Sequence, residues 1–266
     1  MSKLKNIKMS VIQFEIKNNV GLITLNRPDK YNSFNQEMAL LMQSVLDECE
    51  ANEEVRAVMI IGMGKAFCAG QDLQEITDPH GPDISTIVGQ HYNPIVLKIR
   101  NIEKPFVAAV NGVAAGAGAN IALACDVVVA TESASFIQAF SKIGLIPDSG
   151  GTFFLPRIIG FQKASALMML GDKVGAKDAE SLGMIYKYFP NESFLAEATK
   201  IATKLASMPT KGLGLTKRAL NYSLTNTLET QLALEDQLQT TASLSDDYVE
   251  GVTAFVEKRK PVFTGK

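Results

Sequence analysis

The chain has 266 residues, of which 46% are hydrophobic and 20% are charged, and its formal net charge is −2. These values predict a globular protein with one large domain, or one domain and an appendage, and they exclude a wholly disordered chain. The balanced charge provides no broad basic field, so we expect no nucleic-acid partner. The apolar stretches are too short to span a bilayer, so we expect no membrane segment.

Cysteine usage and the start of the chain indicate the compartment. The three cysteines, Cys49, Cys68 and Cys125, are far apart and form no C-x-x-C pair, which argues against a disulfide framework and against a zinc site. The basic start over residues 1–8 is not followed by an apolar segment or a small-residue cleavage site. We therefore predict a protein of the reducing cytoplasm, without a metal.

The first part of the chain predicts a β-hairpin followed by a helix. Residues 12–16 alternate between apolar and polar, residues 17–20 have the composition of a turn, and residues 21–25 form the second strand. Asn35 stands where it can cap a helix. Apolar residues then recur at helical spacing over 38–49.

Three continuous apolar runs predict buried strands, at residues 57–62, 106–110 and 127–130. Helical patterns at 84–102 and 115–124 separate them. Alternating helices and buried strands predict an α/β fold with parallel pairing.

The last third of the chain is helical in pattern, with a break at Pro209. We therefore divide the chain into a core over residues 1–199 and a helical region over residues 200–266. The apolar faces of the helical region need a partner surface, which is either the core of the same chain or a second subunit.

The two histidines, His80 and His91, lie in or just after the polar, Pro- and Gly-containing stretch 77–83. Such a composition predicts an exposed loop. A hydrolase triad with a fixed histidine base is therefore disfavoured.

Three segments place small residues directly after a predicted strand. They are residues 64–72, 111–120 and 144–152. In the first, Ala69 and Gly70 allow close approach of a ligand, and Asp72 can cap a helix that begins at Leu73. The second opens a helix, whose first N–H groups are free, and two such sets of donors facing each other would form an oxyanion hole. The third carries a single carboxylate, Asp148.

Each segment also has a structural interpretation, because small residues often serve only to pack helices against strands. Gly116-x-Gly118 lacks the third glycine of a dinucleotide fingerprint, and the sequence contains no P-loop motif. Ser149 is not in a G-x-S-x-G motif, which argues against a nucleophile elbow.

Taken together, the segments resemble the crotonase (enoyl-CoA hydratase/isomerase) superfamily over about residues 11–266. The matching motifs are Asn26-Arg-Pro-x-Lys30, Ala66-Phe-Cys-Ala-Gly-Gln-Asp-Leu73, Lys104-Pro-Phe-Val-Ala-Ala-Val-Asn-Gly112, the small-residue helix start through Asn120, Cys125-Asp126 and Gly144-Leu-Ile-Pro-Asp-Ser-Gly-Gly-Thr152. The resemblance implies an α/β spiral of ββα units of the ClpP/crotonase type. It also implies a C-terminal helical region that forms homotrimers or dimers of trimers.

The resemblance further implies a site for acyl-CoA thioesters, in which coenzyme A is part of the substrate and no separate cofactor is needed. The backbone N–H groups that stabilise a thioester enolate fall on Gln71 and Ala117. The positions implied for substrate binding are Lys30, Ala66, Ala69, Asp72, Leu73, Gly116, Asn120 and Phe140. For Lys30 a solvated lysine is the alternative, and for Asn120 it is a local hydrogen bond to the backbone.

Two glutamates of the family's hydratases are absent, because their positions fall on Asn120 and at about Phe140. Neither residue can activate water or protonate a carbon. Asp148 stands where family members that shift double bonds carry an aspartate, so the resemblance implies that it is the catalytic acid–base group. Desolvation by nearby apolar residues would raise its pKa. The candidates for this apolar surrounding are Phe140, Ile143, Leu145 and Ile146.

Residues 140–152, 212–217 and 263–266 resemble one branch of the superfamily, which isomerises 2-(1,2-epoxy-1,2-dihydrophenyl)acetyl-CoA to oxepin-CoA in phenylacetate degradation. The implied activity is this isomerisation, the shift of a 3-enoyl-CoA to a 2-enoyl-CoA, or both. The alternatives are an enoyl-CoA hydratase and a non-catalytic acyl-CoA- or RNA-binding relative.

Overall fold

A computed structural model describes residues 10–266, so the basic start at residues 1–8 lies outside the described residues. The strands of this range are β1 (Ile12–Lys17), β2 (Val20–Leu25), β3 (Ala57–Gly62), β4 (Ala66–Cys68), β5 (Phe106–Val110), β6 (Val113–Ala115), β7 (Val127–Thr131), β8 (Ser135–Ile137), β9 (Lys173–Gly175) and β10 (Lys187–Phe189).

The helices of the same range are α1 (Gln36–Ala51), α2 (Leu73–Thr77), α3 (Ile84–Thr86), α4 (Asn93–Asn101), α5 (Ala117–Leu123), α6 (Gly151–Ile159), α7 (Phe161–Leu170), α8 (Ala176–Ser181), α9 (Asn191–Ala206), α10 (Thr210–Ser223), α11 (Leu228–Ser243) and α12 (Asp246–Val256). A π-helical segment (Ile87–Tyr92) joins α3 to α4, and 3₁₀ turns span Pro28–Lys30 and Ala139–Ile143.

The hairpin and the first helix cap predicted from the sequence are confirmed. Strands β1 and β2 pair antiparallel, and Asn18 and Asn19 between them have φ of 51° and 60°. Positive φ at both central residues is the geometry of the tight turn that matches strand twist, and asparagine tolerates it. Asn35 caps α1 by accepting a hydrogen bond from the N–H of Met38 at 3.0 Å.

The strands form two sheets, with orders β1-β2-β3-β5-β7-β10 and β4-β6-β8-β9. From β2 onward the larger sheet is parallel, as the apolar runs predicted. The pairs β3/β4, β5/β6 and β7/β8 each place their first strand in the larger sheet and the second in the smaller one, and helices follow each pair. This repetition is a spiral of ββα units, so the predicted α/β fold is confirmed.

Both faces of the larger sheet are covered. In β3, Val58 and Ile60 belong to the core cluster that includes α1, α4 and α5, while Ala57 and Met59 pack with α9 on the opposite face. Side chains alternate between faces along a strand, so a strand covered on both sides is apolar throughout. Helix α9 therefore packs as part of the core, and the sequence-based boundary after residue 199 falls inside it.

A buried lysine side chain attaches the C-terminal helix α10 to the core. Lys217 of α10 is 5% exposed, pairs with Asp126 at 2.9 Å and donates to the carbonyl of Ile99 at 2.6 Å. Its burial lowers the pKa of the Lys217 ammonium, while Asp126 opposes that effect. In residues 10–266 no helix has the length and apolarity needed to cross a membrane.

One expectation about the histidines is wrong. His80 is exposed as predicted, but His91 is only 3% exposed and lies in the π-helical segment. This segment packs beside α1, where Gln43 donates to the carbonyl of Gln90 at 2.7 Å. The polar stretch therefore ends before His91, and helix packing determines its burial.

Candidate active site

All three small-residue segments contribute to one cavity of about 870 Å³. Its lining is mostly apolar, and the charged side chains among its described residues are Lys30, Lys142 and Asp148. Apolar surroundings strengthen electrostatic interactions, because little water is present to screen them. A single carboxylate in such a cavity is therefore the natural candidate for proton transfer.

The backbone at Gln71 presents a free donor. Phe34 forms a parallel bridge with this segment, in which its N–H donates to the carbonyl of Gly70 at 2.7 Å and its carbonyl accepts from the N–H of Asp72 at 2.8 Å. Since these two neighbours face Phe34, the N–H of Gln71 faces the other side. It has no hydrogen-bond acceptor among residues 10–266.

A second free donor lies beside the first. Ala117 is the first residue of α5, and the helix closes its first hydrogen bond only from Asn120 N to Gly116 O at 3.2 Å. A Cβ added at Gly70 would lie 3.4 Å from the nitrogen of Ala117, which shows how closely the two segments approach. Two unpaired backbone N–H groups on segments this close together make this a candidate oxyanion site.

The backbone before Ala117 depends on glycine. Gly116 has φ of 53° and ψ of −129°, a conformation that residues with a side chain rarely adopt. A Cβ there would meet nothing closer than the ring of Phe140 at 3.7 Å, so the requirement is conformational and not steric crowding.

Asp148 is held on a loop in front of α6. Its carbonyl accepts from the N–H of Gly151 at 2.8 Å and from the side-chain amide of Asn120 at 2.9 Å. The hydroxyl of Ser149 donates to its carboxylate at 2.9 Å. Burial raises the pKa of the Asp148 carboxyl above its ordinary value, and the Ser149 hydrogen bond opposes that rise. All four residues named as its apolar surrounding line the cavity, namely Phe140, Ile143, Leu145 and Ile146.

Asn120 is fully buried and uses both ends of its side chain within the protein. Besides its bond to Asp148, its oxygen accepts from the amide of Gln138 at 2.7 Å. A Cβ at Gly151 would lie 2.4 Å from the Asn120 nitrogen, so only glycine permits this approach. Neither partner is local, because Asp148 and Gln138 lie 28 and 18 positions from Asn120 along the chain.

Most of the predicted site residues line the cavity. They are Lys30, Ala69, Gln71, Leu73, Gly116, Ala117, Phe140 and Asp148. Ala66, Asp72 and Asn120 lie outside the lining. Asp72 caps α2 through the N–H of Gln74 and pairs with Arg27 at 2.8 Å. The carbonyl of Ala66 accepts from Asn32 at 2.8 Å. The substrate contacts predicted for these three residues stay predictions.

Cys68 lies beside the predicted oxyanion donors but is not suited to nucleophilic attack. It is fully buried, and its burial raises the pKa of the thiol to about 12. At neutral pH it is therefore a thiol and not a thiolate, and it packs as a small apolar residue.

Several cavity residues were not found from the sequence. Lys142, Ile84, Ile87 and Val88 line the cavity, and Tyr92 bonds to the side chain of Gln71 at 2.9 Å. The helical pattern predicted over 84–102 did not show that residues 87–92 are π-helical or that this part lines a cavity, because a π-helix has no sequence signature comparable to the 3.6-residue period. The hydrogen bond from Ser149 to Asp148 could have been expected from the sequence, because the two residues are adjacent and a hydroxyl in a turn often forms local hydrogen bonds.

The chain resembles known proteins over nearly its whole length. The family described as enoyl-CoA hydratase/isomerase matches residues 15–266. A 1,2-epoxyphenylacetyl-CoA isomerase of Escherichia coli K12 is 47% identical over 97% of this chain and 100% of its own length. A 2,3-dehydroadipyl-CoA hydratase of the same organism is 33% identical over 97% of this chain and 100% of its own.

Solved structures agree with this match. A crystal structure of enoyl-CoA hydratase from Bacillus anthracis superposes with a TM-score of 0.91 at 31% identity, covering 97% of this chain and 100% of that one. The chain therefore belongs to the enoyl-CoA hydratase/isomerase family, the crotonase family to which the sequence motifs pointed. Its relatives include a named isomerase and a named hydratase. Membership of the family therefore indicates an activity on acyl-CoA substrates, and the particular reaction has to be argued from the site.

Proposed function

We propose that this protein is an acyl-CoA isomerase that works through a thioester enolate. The observation that carries the proposal is that Asp148 is the one carboxylate among the described residues that line the cavity. Hydration needs a group that activates water and a group that protonates carbon. The resemblance places the two glutamates of the family's hydratases at Asn120 and at about Phe140, and neither of these side chains transfers protons.

In the first step, a carboxylate at Asp148 removes a proton from the carbon next to the thioester carbonyl. Negative charge then develops on the carbonyl oxygen, where the N–H groups of Gln71 and Ala117 stabilise it. The loss of one such donor typically slows an enzyme about 100- to 1000-fold. The raised pKa of the Asp148 carboxyl makes it a stronger base than a free aspartate.

In the second step, the protonated Asp148 returns the proton to a different carbon of the conjugated system. With a 3-enoyl-CoA the proton leaves C2 and returns at C4, which yields the 2-enoyl-CoA. No atom is gained or lost and no electrons leave the substrate, so the reaction requires neither water nor a redox cofactor. One carboxylate is sufficient for this shuttle, which agrees with the charged residues of the cavity.

We propose the epoxide 2-(1,2-epoxy-1,2-dihydrophenyl)acetyl-CoA as the particular substrate, with oxepin-CoA as the product. Two facts support this choice. A relative at 47% identity carries the name of that activity, and the cavity is large and mostly apolar, as a ring-bearing acyl group requires. In the epoxide, formation of the enolate would assist ring opening. Lys30, which lines the cavity, is proposed to approach the phosphates of coenzyme A.

The reaction is tested by an ultraviolet scan of the purified protein with a 3-enoyl-CoA, combined with mass spectrometry of the product. We expect growth of the conjugated 2-enoyl thioester band at unchanged mass. The epoxide is the next substrate to be assayed. A product heavier by one water would instead identify a hydratase and would refute Asp148 as the sole acid–base group.

We also propose that the chain assembles as a homotrimer or a dimer of trimers through its C-terminal helices. Large apolar side chains are exposed on α11 and α12, including Leu228 at 70%, Phe255 at 85% and Val256 at 73%. Apolar patches of this kind mark interfaces. Sedimentation equilibrium would give a mass of three or six chains, and a monomer at micromolar concentration would refute the assembly.

A further inference from the structure

The side chain of Gln71 is fixed at both ends by hydrogen bonds. The hydroxyl of Tyr92 donates to its oxygen at 2.9 Å, and its amide nitrogen donates to the carboxylate of Glu75 at 2.7 Å. The other oxygen of Glu75 accepts from the N–H of Gln36, at the start of α1, at 2.8 Å. The residue whose backbone N–H faces the cavity is thus connected to the π-helical segment, α2 and α1.

Tyr92 reaches Gln71 from a rigid position. Tyr92 is 1% exposed, and its ring packs against that of Phe34 with 5.8 Å between ring centroids, in a tilted geometry. Phe34 is also the residue that bridges Gly70 and Asp72 on either side of Gln71. The same aromatic pair therefore lies behind the backbone of Gln71 and supplies the hydroxyl that binds its side chain.

The buried environment makes this hydrogen bond costly to lose. The hydroxyl of a buried tyrosine needs a partner, and here the partner is the Gln71 oxygen. Burial also raises the pKa of the Tyr92 phenol well above its ordinary value, and the charge of Asp148 acts in the same direction. The Tyr92 hydroxyl therefore keeps its proton at neutral pH and can donate it to the Gln71 oxygen.

We propose that Tyr92 and Glu75 are positioning residues that hold the backbone N–H of Gln71 in its donating direction. This inference rests on the proposed enolate chemistry, in which that N–H binds the thioester oxygen. The Phe34 bridge holds the peptides on either side of Gln71, and the two side-chain hydrogen bonds fix the position of Gln71 between them. A small shift of this residue would move its N–H out of line with the thioester oxygen and weaken its stabilisation of the oxyanion. The π-helical segment would then have a function, because it brings Tyr92 to Gln71.

The test measures the donor directly. Phenylacetyl-CoA labelled with ¹³C at the carbonyl has no C=C bond outside its aromatic ring and so is not isomerised. The infrared band of its carbonyl moves to lower frequency when N–H groups bind the oxygen. We expect the wild-type protein to lower this frequency, and Tyr92→Phe to return it part of the way to the free value with little change in Kd. On a 3-enoyl-CoA, kcat of Tyr92→Phe should fall about tenfold, less than the loss of a whole donor would cause.

A double-mutant cycle shows whether Tyr92 acts through Gln71. Gln71→Leu keeps the backbone donor and removes both side-chain hydrogen bonds, so its kcat should fall at least as far as that of Tyr92→Phe. The double variant should be no worse than Gln71→Leu alone. Tyr186 is 67% exposed, and Tyr186→Phe is the matched control that should change nothing. Glu75→Gln is a second test from the other end of the network and should give a smaller loss.

The outcomes separate this inference from the proposed function. A wild-type carbonyl shift that Tyr92→Phe and Glu75→Gln both retain would overturn the positioning role while leaving the isomerase proposal intact. Additive losses in the double-mutant cycle would also overturn it, since Tyr92 would then act by another route. A wild-type protein that shows no carbonyl shift, or binds no thioester, would refute the oxyanion hole and with it both proposals.

Discussion

The side-chain amide of Asn120 donates to the main-chain carbonyl of Asp148 at 2.9 Å. Asn120 belongs to α5, the helix whose first residue is Ala117, and it is itself held by Gln138. The proposed base and one of the proposed oxyanion donors are therefore joined through a single buried side chain. Their separation cannot change without breaking a buried hydrogen bond, which is how a site keeps its groups preorganised.

Replacing the base should strongly reduce turnover without unfolding the protein. In Asp148→Asn the side chain keeps its shape but accepts protons poorly, so kcat on a 3-enoyl-CoA should fall by about 10²- to 10⁴-fold, the usual contribution of general acid–base catalysis. The exposed Asp178 on α8 provides the matched control, Asp178→Asn, which should retain full activity. Retained turnover in Asp148→Asn would reject the base role.

The pH profile should respond to Ser149. Catalysis needs the ionised carboxylate, so kcat/KM should rise with pH through the raised pKa of Asp148. The Ser149 hydroxyl stabilises the charged form and lowers that pKa. Ser149→Ala should therefore move the acidic limb of the profile to higher pH, with a similar plateau. A limb that stays in place or moves to lower pH would contradict the assignment.

The same carboxyl should lower the stability of the folded protein at neutral pH. Because its pKa is raised on folding, the folded state holds the proton more tightly, and the free energy of unfolding falls as pH rises from about 3.9, the ordinary value for aspartate, through the raised pKa. Asp148→Asn cannot ionise, so its Tm should exceed that of the wild type at pH 7. The difference should shrink as pH falls through that window. An equal Tm at pH 7 would mean that burial does not penalise the charge.

Asn120→Ala should impair both stability and rate. It removes the bond to the Asp148 carbonyl and leaves the buried amide of Gln138 without its partner, which costs about 1–3 kcal/mol. Thermal unfolding should show the loss of stability. Activity should be assayed well below Tm. There kcat should fall, because Asp148 loses the bond that holds its loop, while KM should change little, because Asn120 does not line the cavity. A rise in KM alone would favour the direct substrate contact instead.

Gly116→Ala tests the backbone geometry before Ala117. The strain of a side chain at φ 53° and ψ −129° is about 1–3 kcal/mol, and its relief would turn the N–H of Ala117. We expect a lower kcat on a 3-enoyl-CoA and a weaker carbonyl shift with bound phenylacetyl-CoA. Gly175, at φ −74° with open space around it, is the matched control, and Gly175→Ala should behave as the wild type.

Much of the fold and several residues of the candidate site could be predicted from local patterns in the sequence. The hairpin, the Asn35 cap and the buried strands follow from periodicity and turn residues, which act between neighbours along the chain. The family motifs located Gln71, Ala117 and Asp148, which line the cavity and to which we assign the proposed oxyanion donors and base.

Other features depend on elements that meet only in the folded chain. The bonds of Asn120 to Asp148 and of Tyr92 to Gln71 join residues 28 and 21 positions apart. The burial of His91 and the π-helical segment likewise follow from packing against α1. A sequence pattern records which face of an element is apolar, but not which rotamer or partner a side chain finds there. Those are set by the packing of elements distant in sequence, where a shift of an ångström makes or breaks a hydrogen bond.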